Sequence, residues 1–104
     1  MIMSRNPKRR PTHPGALLRE DILPAAGITQ TELAERMGVS RLTVSEILHE
    51  KRAVTADIAH RLGRVFGSGP ELWLNMQKAV DLWEALAKNK REYEQIETLQ
   101  IALG

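Results

Sequence analysis

One short segment, residues 40–52, concentrates side chains whose chemistry suits the edges of DNA bases. Arg41 can donate two hydrogen bonds to guanine, Leu42 can contact a thymine methyl group, and Glu46 can accept a hydrogen bond from cytosine. Ser45 can bond to several bases and selects weakly among them. Phosphate contacts fix the register of a protein on DNA without distinguishing sequence. The residues expected to make them are Gln30, Thr43, Lys51 and Arg52.

These side chains can act together only if one helix presents them. Because Val44 and Ile47 are apolar and three residues apart, the helical period places both toward a core. The opposite face at the start of the helix then carries Ser40, Arg41, Leu42, Ser45 and Glu46. Such a face is the part of a recognition helix that enters the major groove.

The residues around this helix have the signals of a helix-turn-helix. Thr29 and Glu32 form a capping box that begins a preceding helix, and Ser40 is a favourable N-cap for the recognition helix. Gly38 can adopt the positive φ that a three-residue turn requires. Ala34 is small where two helices joined by so short a turn must cross closely. The whole set predicts DNA binding.

Apolar spacing and capping residues predict an all-α fold of five helices, the last of them long and ended by Asn89. We expect Pro24 and Gly27 to end the first helix. The predicted organisation is a flexible basic arm (1–12), a helix-turn-helix domain (13–89) and a C-terminal tail (90–104). The tail is compatible with either a helix or an extended segment.

Composition narrows the class of protein. The chain has 104 residues and no cysteine, which excludes disulfides, thiolate metal sites and cysteine nucleophiles and fits the reducing cytoplasm. We expect one domain, too small for a large enzyme fold, with no signal peptide or membrane span. The net charge of +2 lies in the arm, which has four bases and no acid, so DNA affinity must come from the arm and from locally placed residues.

No catalytic or metal-binding pattern competes with this interpretation. His13, His49 and His60 lack the spacing of metal ligands. The acidic pairs, Glu20 with Asp21 and Glu32 with Glu35, are typical of solvated helix faces. We therefore predict no enzymatic activity, no metal site and no cofactor.

Several motifs outside the DNA-binding unit add a resemblance. They are His13-Pro14-Gly15, the segment from Ile28 to Gln77 nearly unbroken, the Lys51-Arg52-Ala53 link within it, and Asp81-Leu82. Through them the chain resembles the HigA-type antitoxins of bacterial toxin–antitoxin systems, within the lambda-repressor-like helix-turn-helix class. Two departures, Ala16 where members often carry an acid and Val80 where many have tyrosine, affect the toxin-facing surface.

The resemblance implies a five-helix domain that forms a homodimer on a palindromic operator. It also implies repression of the chain's own operon and neutralisation of a HigB-type ribonuclease toxin. Residues that match the positions this class uses against DNA are Gln30, Ser40, Arg41, Leu42, Thr43, Ser45 and Glu46.

Two protein-binding surfaces are also predicted. The apolar residues of the fifth helix cover more of its circumference than one small core can bury, and we expect the surplus, centred on Trp83 and Leu86, to form a dimer interface. Toxin binding is assigned to Glu20 and Asp21, because acidic surface attracts a basic toxin, together with Tyr93 and Ile96 of the tail. The alternative is that the acids only keep the protein soluble.

Two other functions stay open. One is a phage-type transcriptional repressor without a toxin. The other is a helical protein-interaction module for which DNA is incidental. Salt-dependent binding to promoter DNA and the identity of the neighbouring reading frame distinguish these possibilities.

Overall fold

The structure is a computed structural model that describes residues 9–101. Within that range the chain forms five helices and no strand, which confirms the predicted all-α class. The first helix, α1, comprises residues 14–26 in three consecutive turns, which are α-helical at Pro14–Leu17, π-helical at Leu18–Ile22 and α-helical at Leu23–Ala26. The others are α2 (Gln30–Met37), α3 (Arg41–Leu48), α4 (Ala56–Phe66) and α5 (Pro70–Glu94).

The predicted capping residues begin their helices. The Thr29 hydroxyl accepts from the Glu32 backbone N–H at 3.1 Å, and the Glu32 carboxylate accepts from the Thr29 N–H at 3.4 Å, which completes the capping box. The Ser40 hydroxyl accepts from the Thr43 N–H at 3.0 Å. Gly38 closes α2 with φ of +71°, so the tight turn needs glycine where it was expected.

Pro24 does not end α1, contrary to expectation, although Gly27 does. In the π-helical turn, the Leu23 N–H donates to the Leu18 carbonyl five residues back. The hydrogen-bond register has therefore already shifted where Pro24, which has no N–H to donate, enters the helix. The sequence signal for a helix end was correct for an ideal α-helix but not for one with a π-helical turn.

Asn89 is also not the end of the last helix. Its backbone leaves the helical region (φ −123°, ψ 22°), but the helix resumes and continues to Glu94. The residues that follow, Lys90 to Glu94, are mostly good helix formers, so one distorted residue kinks α5 without terminating it. Residues 96–101 have no regular structure.

The core lies between α5 and the first four helices. Trp73, near the start of α5, is 1% exposed, and its indole N–H donates to the Ser68 hydroxyl at 3.1 Å. The buried apolar side chains around it include Leu18, Leu33, Val44, Ile47, Leu48, Ile58 and Leu62. Every helix contributes to this single core, and the recognition helix α3 packs on it through its inner face.

A close backbone approach joins α1 to α3. A Cβ atom placed on Gly15 would lie 1.8 Å from the carbonyl oxygen of Ile47, so no side chain fits there. The glycine of the His13-Pro14-Gly15 motif therefore lets α1 touch the backbone of the recognition helix. Among the described helices, none is long and apolar enough to cross a membrane.

Candidate nucleic-acid interface

The first turn of α3 presents the side chains expected to contact bases. Arg41 is exposed, and Leu42 is 66% exposed. On the opposite side Val44 and Ile47 are 1% and 2% exposed, as the apolar spacing predicts. One face of α3 is therefore fixed in the core, and the other projects Arg41 and Leu42 into solvent.

The hydroxyl groups at the start of α3 have a structural role. Ser40 Oγ caps the helix and lies 2.9 Å from Thr43 Oγ1. A hydroxyl has one donor and two acceptor sites, so both groups retain capacity for a phosphate or base. Ser45 is half-buried, and its hydroxyl lies 3.4 Å from His49 Nδ1, which is itself 2.8 Å from the Ser45 carbonyl oxygen.

Glu46 and Arg52 form an ion pair that their sequence separation did not suggest. Arg52 Nε and Nη2 both donate to Glu46 Oε1, at 3.0 and 2.6 Å. The turn after α3 folds back on the helix and brings these two residues together. The ion pair occupies one carboxylate oxygen of Glu46 and balances the charge of Arg52.

Of the cations assigned to DNA within the described residues, Arg41 and Lys51 remain available. Both are exposed, and neither forms an ion pair with another residue of the described range. Gln30, also exposed, is the first residue of α2. Because Lys51 follows α3 closely, one flexible ammonium and one guanidinium lie at the two ends of the same short helix.

A cluster of charges that the sequence analysis did not anticipate surrounds the C-terminal end of α3. Arg10 Nη1 donates to Glu50 at 2.7 Å, and its Nε and Nη2 donate to Glu84 of α5 at 2.9 and 2.6 Å. Arg19 Nη1 lies 3.5 Å from Glu50 and donates to the Leu48 carbonyl oxygen at 2.6 Å. Arg10 thus belongs to the folded body, although it was assigned to a flexible arm.

Glu50 occupies a strained backbone position. Its φ is +61°, the one positive φ of a non-glycine residue among the described residues. Hydrogen bonding from Arg10 holds the pKa of the Glu50 carboxyl below its ordinary value. The acid therefore stays ionised between two arginines, at the turn where the chain leaves the recognition helix.

The C-terminal end of α2 is likewise contacted by an arginine from another helix. Arg61 of α4 donates from Nη1 to the Met37 carbonyl oxygen at 2.8 Å, and its Nε donates to Asp57 at 2.9 Å. The carbonyl groups at the end of a helix lack partners within the helix. Arginines from α1 and α4 thus bind the last residues of the two helices of the helix-turn-helix.

Gln77 connects α5 to the segment that follows the recognition helix. It is 5% exposed, its Oε1 accepts from the Val54 N–H at 2.8 Å, and its Nε2 donates to Asp81 at 2.9 Å. A buried amide with both ends satisfied fixes the backbone it contacts. Sequence periodicity places Gln77 beside apolar neighbours on α5 but gives no hint of this partner.

His13 caps α1 through its ring. The side chain is buried, and Nδ1 accepts from the Gly15 N–H at 2.9 Å, so the ring is neutral with its proton on the other nitrogen. Burial lowers the pKa of His13, although the nearby Glu50 acts in the opposite direction. His13 is therefore the N-cap of α1.

A pH dependence follows from this lowered pKa. Between the folded and the ordinary pKa, the unfolded chain binds a proton that the folded chain does not, so stability should fall as pH decreases below about 6.5. Above that pH the contribution of the neutral His13 ring to folding stability is fully present. Urea unfolding measured at intervals between about pH 7 and 5 checks this for the wild type. In His13→Asn, which keeps an acceptor that does not titrate, this part of the slope should disappear; an unchanged slope would contradict the assignment.

The predicted protein-binding residues differ in accessibility. Trp83 is half-buried, whereas Leu86 is 51% exposed and Leu82, which the sequence analysis did not assign to the dimer, is 65% exposed. The exposed apolar surface of α5 is therefore centred on the two leucines and not on the tryptophan.

The residues assigned to a toxin all lie at the surface. Glu20 and Asp21 are exposed on the π-helical turn of α1, and Glu20 pairs with Arg19 at 2.5 Å. Tyr93 and Ile96 are 41% and 73% exposed. No group of three or more His, Cys, Asp or Glu side chains within the described range is arranged to bind a metal ion.

Comparison with known proteins places this geometry in a family. A helix-turn-helix family model matches residues 18–74, which include α2, α3 and α4. The antitoxin HigA-1 of Vibrio cholerae is 40% identical over 99 residues, which are 95% of this chain and 93% of that protein. Its similarity therefore extends well beyond the helix-turn-helix.

Two solved structures have the same fold. One is the Pseudomonas aeruginosa antitoxin HigA with the higBA promoter, with a TM-score of 0.82 and 39% identity over 88% of this chain and 100% of that chain. The other is the antitoxin GraA in complex with its operator, with a TM-score of 0.83 and 37% identity over 95% of this chain and 100% of that chain. Taken together with the capped helix-turn-helix and its exposed recognition face, these similarities show that the chain belongs to the HigA-type antitoxins of the helix-turn-helix family.

Proposed function

We propose that this chain binds operator DNA through the first turn of α3 and thereby represses its own toxin–antitoxin operon. The observation that carries the proposal is the pairing of an exposed Arg41 and Leu42 with a buried Val44 and Ile47 on one capped helix. The guanidinium suits guanine and the leucine suits a thymine methyl group. Similar proteins were solved with a promoter and an operator, which supports the same ligand here.

The remaining polar residues divide between bases and phosphates. Gln30, Ser40, Thr43 and Lys51 are suited to phosphate contacts that fix the position of α3 in the groove. Glu46 and Arg52 would meet DNA as an ion pair, in which the second carboxylate oxygen of Glu46 can accept a hydrogen bond from a base. Arg41 is therefore the main determinant of base preference, and Lys51 the main phosphate ligand after the helix.

A homodimer is the form that suits a palindromic operator. The exposed Leu82 and Leu86 on α5 form an apolar face that water would otherwise contact, and a second copy of the same face would cover it. Two recognition helices in such a dimer must lie about 34 Å apart to enter successive major grooves. The half-buried Trp83 borders this face and contributes through its accessible edge.

The proposed dimer predicts that a charge placed in its interface halves the molecular mass of the protein in solution. Leu86→Glu introduces a charge into a covered apolar face, so we expect this variant to sediment as a monomer at micromolar concentration while the wild type sediments as a dimer. Leu99→Glu serves as the control, because Leu99 is 80% exposed in the tail and lies outside α5. A wild-type monomer, or a dimeric Leu86→Glu, would contradict the proposed interface.

We further propose that the protein neutralises a HigB-type ribonuclease toxin. The acidic residues Glu20 and Asp21 would attract a basic partner, and the exposed Tyr93 and Ile96 provide apolar area for it to cover. These residues lie outside α3. Toxin binding and DNA binding should therefore depend on different side chains.

Co-expression with the neighbouring gene tests this second activity. We expect the intact chain to suppress growth arrest by the toxin, and a chain truncated after Asn89, at the kink in α5, to do so less well. Arg41→Ala should retain neutralisation while losing repression. Full rescue by the truncated chain would exclude the tail from the toxin site. Failure of every form to rescue growth would leave a repressor without a toxin as the better description.

A further inference from the structure

The C-terminal end of the recognition helix is held both by its own backbone and by a side chain of α1. α3 has eight residues, and directly after it the Glu50 N–H donates to the Ile47 carbonyl at 3.0 Å and the Lys51 N–H to the Glu46 carbonyl at 2.8 Å. Its start is capped by Ser40, but the chain turns away immediately after Leu48, through His49 and the strained Glu50. The two backbone bonds cap the carbonyl groups of Glu46 and Ile47, whereas the Leu48 carbonyl, the last of α3, accepts from a side chain of another helix.

Arg19 is the side chain that ties this end of α3 to α1. Its Nη1 donates to the Leu48 carbonyl oxygen at 2.6 Å and lies 3.5 Å from the Glu50 carboxylate, while its Nη2 bonds to Glu20 at 2.5 Å. A planar guanidinium can make these bonds in different directions at once, and a lysine ammonium cannot reproduce that geometry.

The position of Arg19 depends on two unusual features of α1. Arg19 lies in the π-helical turn Leu18–Ile22, and Gly15, one turn earlier, lets the helix approach the Ile47 carbonyl. A π-helical turn rotates the side chains that follow its start relative to those of a regular α-helix. Both features bring α1 against the last two residues of α3.

We propose that Arg19 is a positioning residue for DNA recognition, which fixes the C-terminal end of α3 on α1 and so sets the angle at which Arg41 meets a base. This inference rests on the proposed operator binding. Arg19 need not touch DNA for this role. Its effect should therefore appear in the ratio of operator affinity to random-DNA affinity, because random DNA requires charge but no exact alignment of α3.

Arg19→Lys is the decisive variant because it keeps the net charge. A loss of charge would weaken binding to every DNA sequence alike, whereas Arg19→Lys removes only the geometry of the contact. We expect operator affinity to fall about tenfold, roughly the worth of one well-made base contact, with random-DNA affinity unchanged within about twofold. Arg64→Lys, at an exposed arginine of α4, is the matched control and should leave both affinities unchanged.

A second variant tests whether Arg19 positions α3 through the Leu48 carbonyl or through the Glu50 carboxylate. Glu50→Gly removes the carboxylate and relieves the positive φ, but leaves the Arg19 bond to Leu48 in place, so it should keep the operator preference. Both affinities are measured well below the unfolding temperature of each variant, since a partly unfolded sample loses operator and random DNA binding together.

Two outcomes would overturn the proposal. One is an unchanged ratio of operator to random-DNA affinity in Arg19→Lys, whether or not both affinities fall. The other is a loss of preference in Glu50→Gly as large as in Arg19→Lys. Failure of operator binding itself is distinguishable, because the wild type would then show no preference for promoter DNA.

Discussion

Gly15→Ala is expected to destabilise this protein more than alanine at any other glycine of the described residues. The new Cβ would lie 1.8 Å from the Ile47 carbonyl oxygen, so the backbones of α1 and α3 must separate. Overpacking of this kind costs about 3 kcal/mol and outweighs the gain of roughly 1 kcal/mol that alanine brings within a helix. Thermal unfolding should show a decrease in Tm of roughly 10–15 °C.

Gly69→Ala is the matched control for this prediction. A Cβ on Gly69 would meet only the Glu71 carboxylate, the flexible end of a side chain that can rotate away. The same substitution there should cost at most about 1 kcal/mol, mainly through the change of N-cap. If Gly15→Ala unfolded at the wild-type temperature, the close contact between α1 and the recognition helix would be wrong.

Arg41→Ala is expected to have the largest effect on DNA. Loss of a bidentate contact to guanine costs about 1–3 kcal/mol on the operator and should relax the preference at one base pair. Stability should change little, because the Arg41 side chain is exposed and does not contribute to the core. Titrations with operator variants that differ at single positions identify the base pair concerned.

Lys51→Ala provides the contrasting control. Because a phosphate contact carries no sequence information, this variant should weaken binding to all DNA alike and lower the slope of log affinity against log salt by about one. Equal losses on operator and random DNA for Arg41→Ala would show that Arg41 contacts only phosphate.

The sequence was sufficient to predict the elements of the helix-turn-helix. Thr29, Gly38 and Ser40 act locally, through caps and a turn that involve neighbours within three or four residues, so their effect can be inferred without knowing the fold. The same is true of the buried Val44 and Ile47, since helical periodicity alone separates an inner from an outer face.

The parts that could not be predicted depend on contacts between distant residues. Arg19 meets Leu48, Arg10 meets Glu84, and Gln77 meets Val54, and in each case the partner is on a different element. Periodicity assigns such residues to a face but does not say which residue of another helix lies opposite. Gly15 belongs to the same class, because the reason for glycine there is the approach of α3.

Two helix ends were predicted wrongly because the backbone near each of them departs from ideal helical geometry. Pro24 and Asn89 are residues that usually end helices, and each lies where the backbone departs from ideal helical geometry. At Pro24 a preceding π-helical turn accommodates the missing N–H, and at Asn89 a single distorted residue is followed by another helical turn. In both cases the chain departs locally from ideal helical geometry, and the neighbouring residues keep it helical beyond that point.

The central claim is that α3 recognises a particular DNA sequence, and one measurement tests it most directly. The affinity of the wild-type protein for the promoter DNA upstream of its own gene is compared with that for a scrambled duplex of equal length, across a series of salt concentrations. We expect a preference of about 10³-fold or more for the promoter, which persists as salt lowers both affinities. Equal affinity for the two duplexes at every salt concentration would contradict the claim.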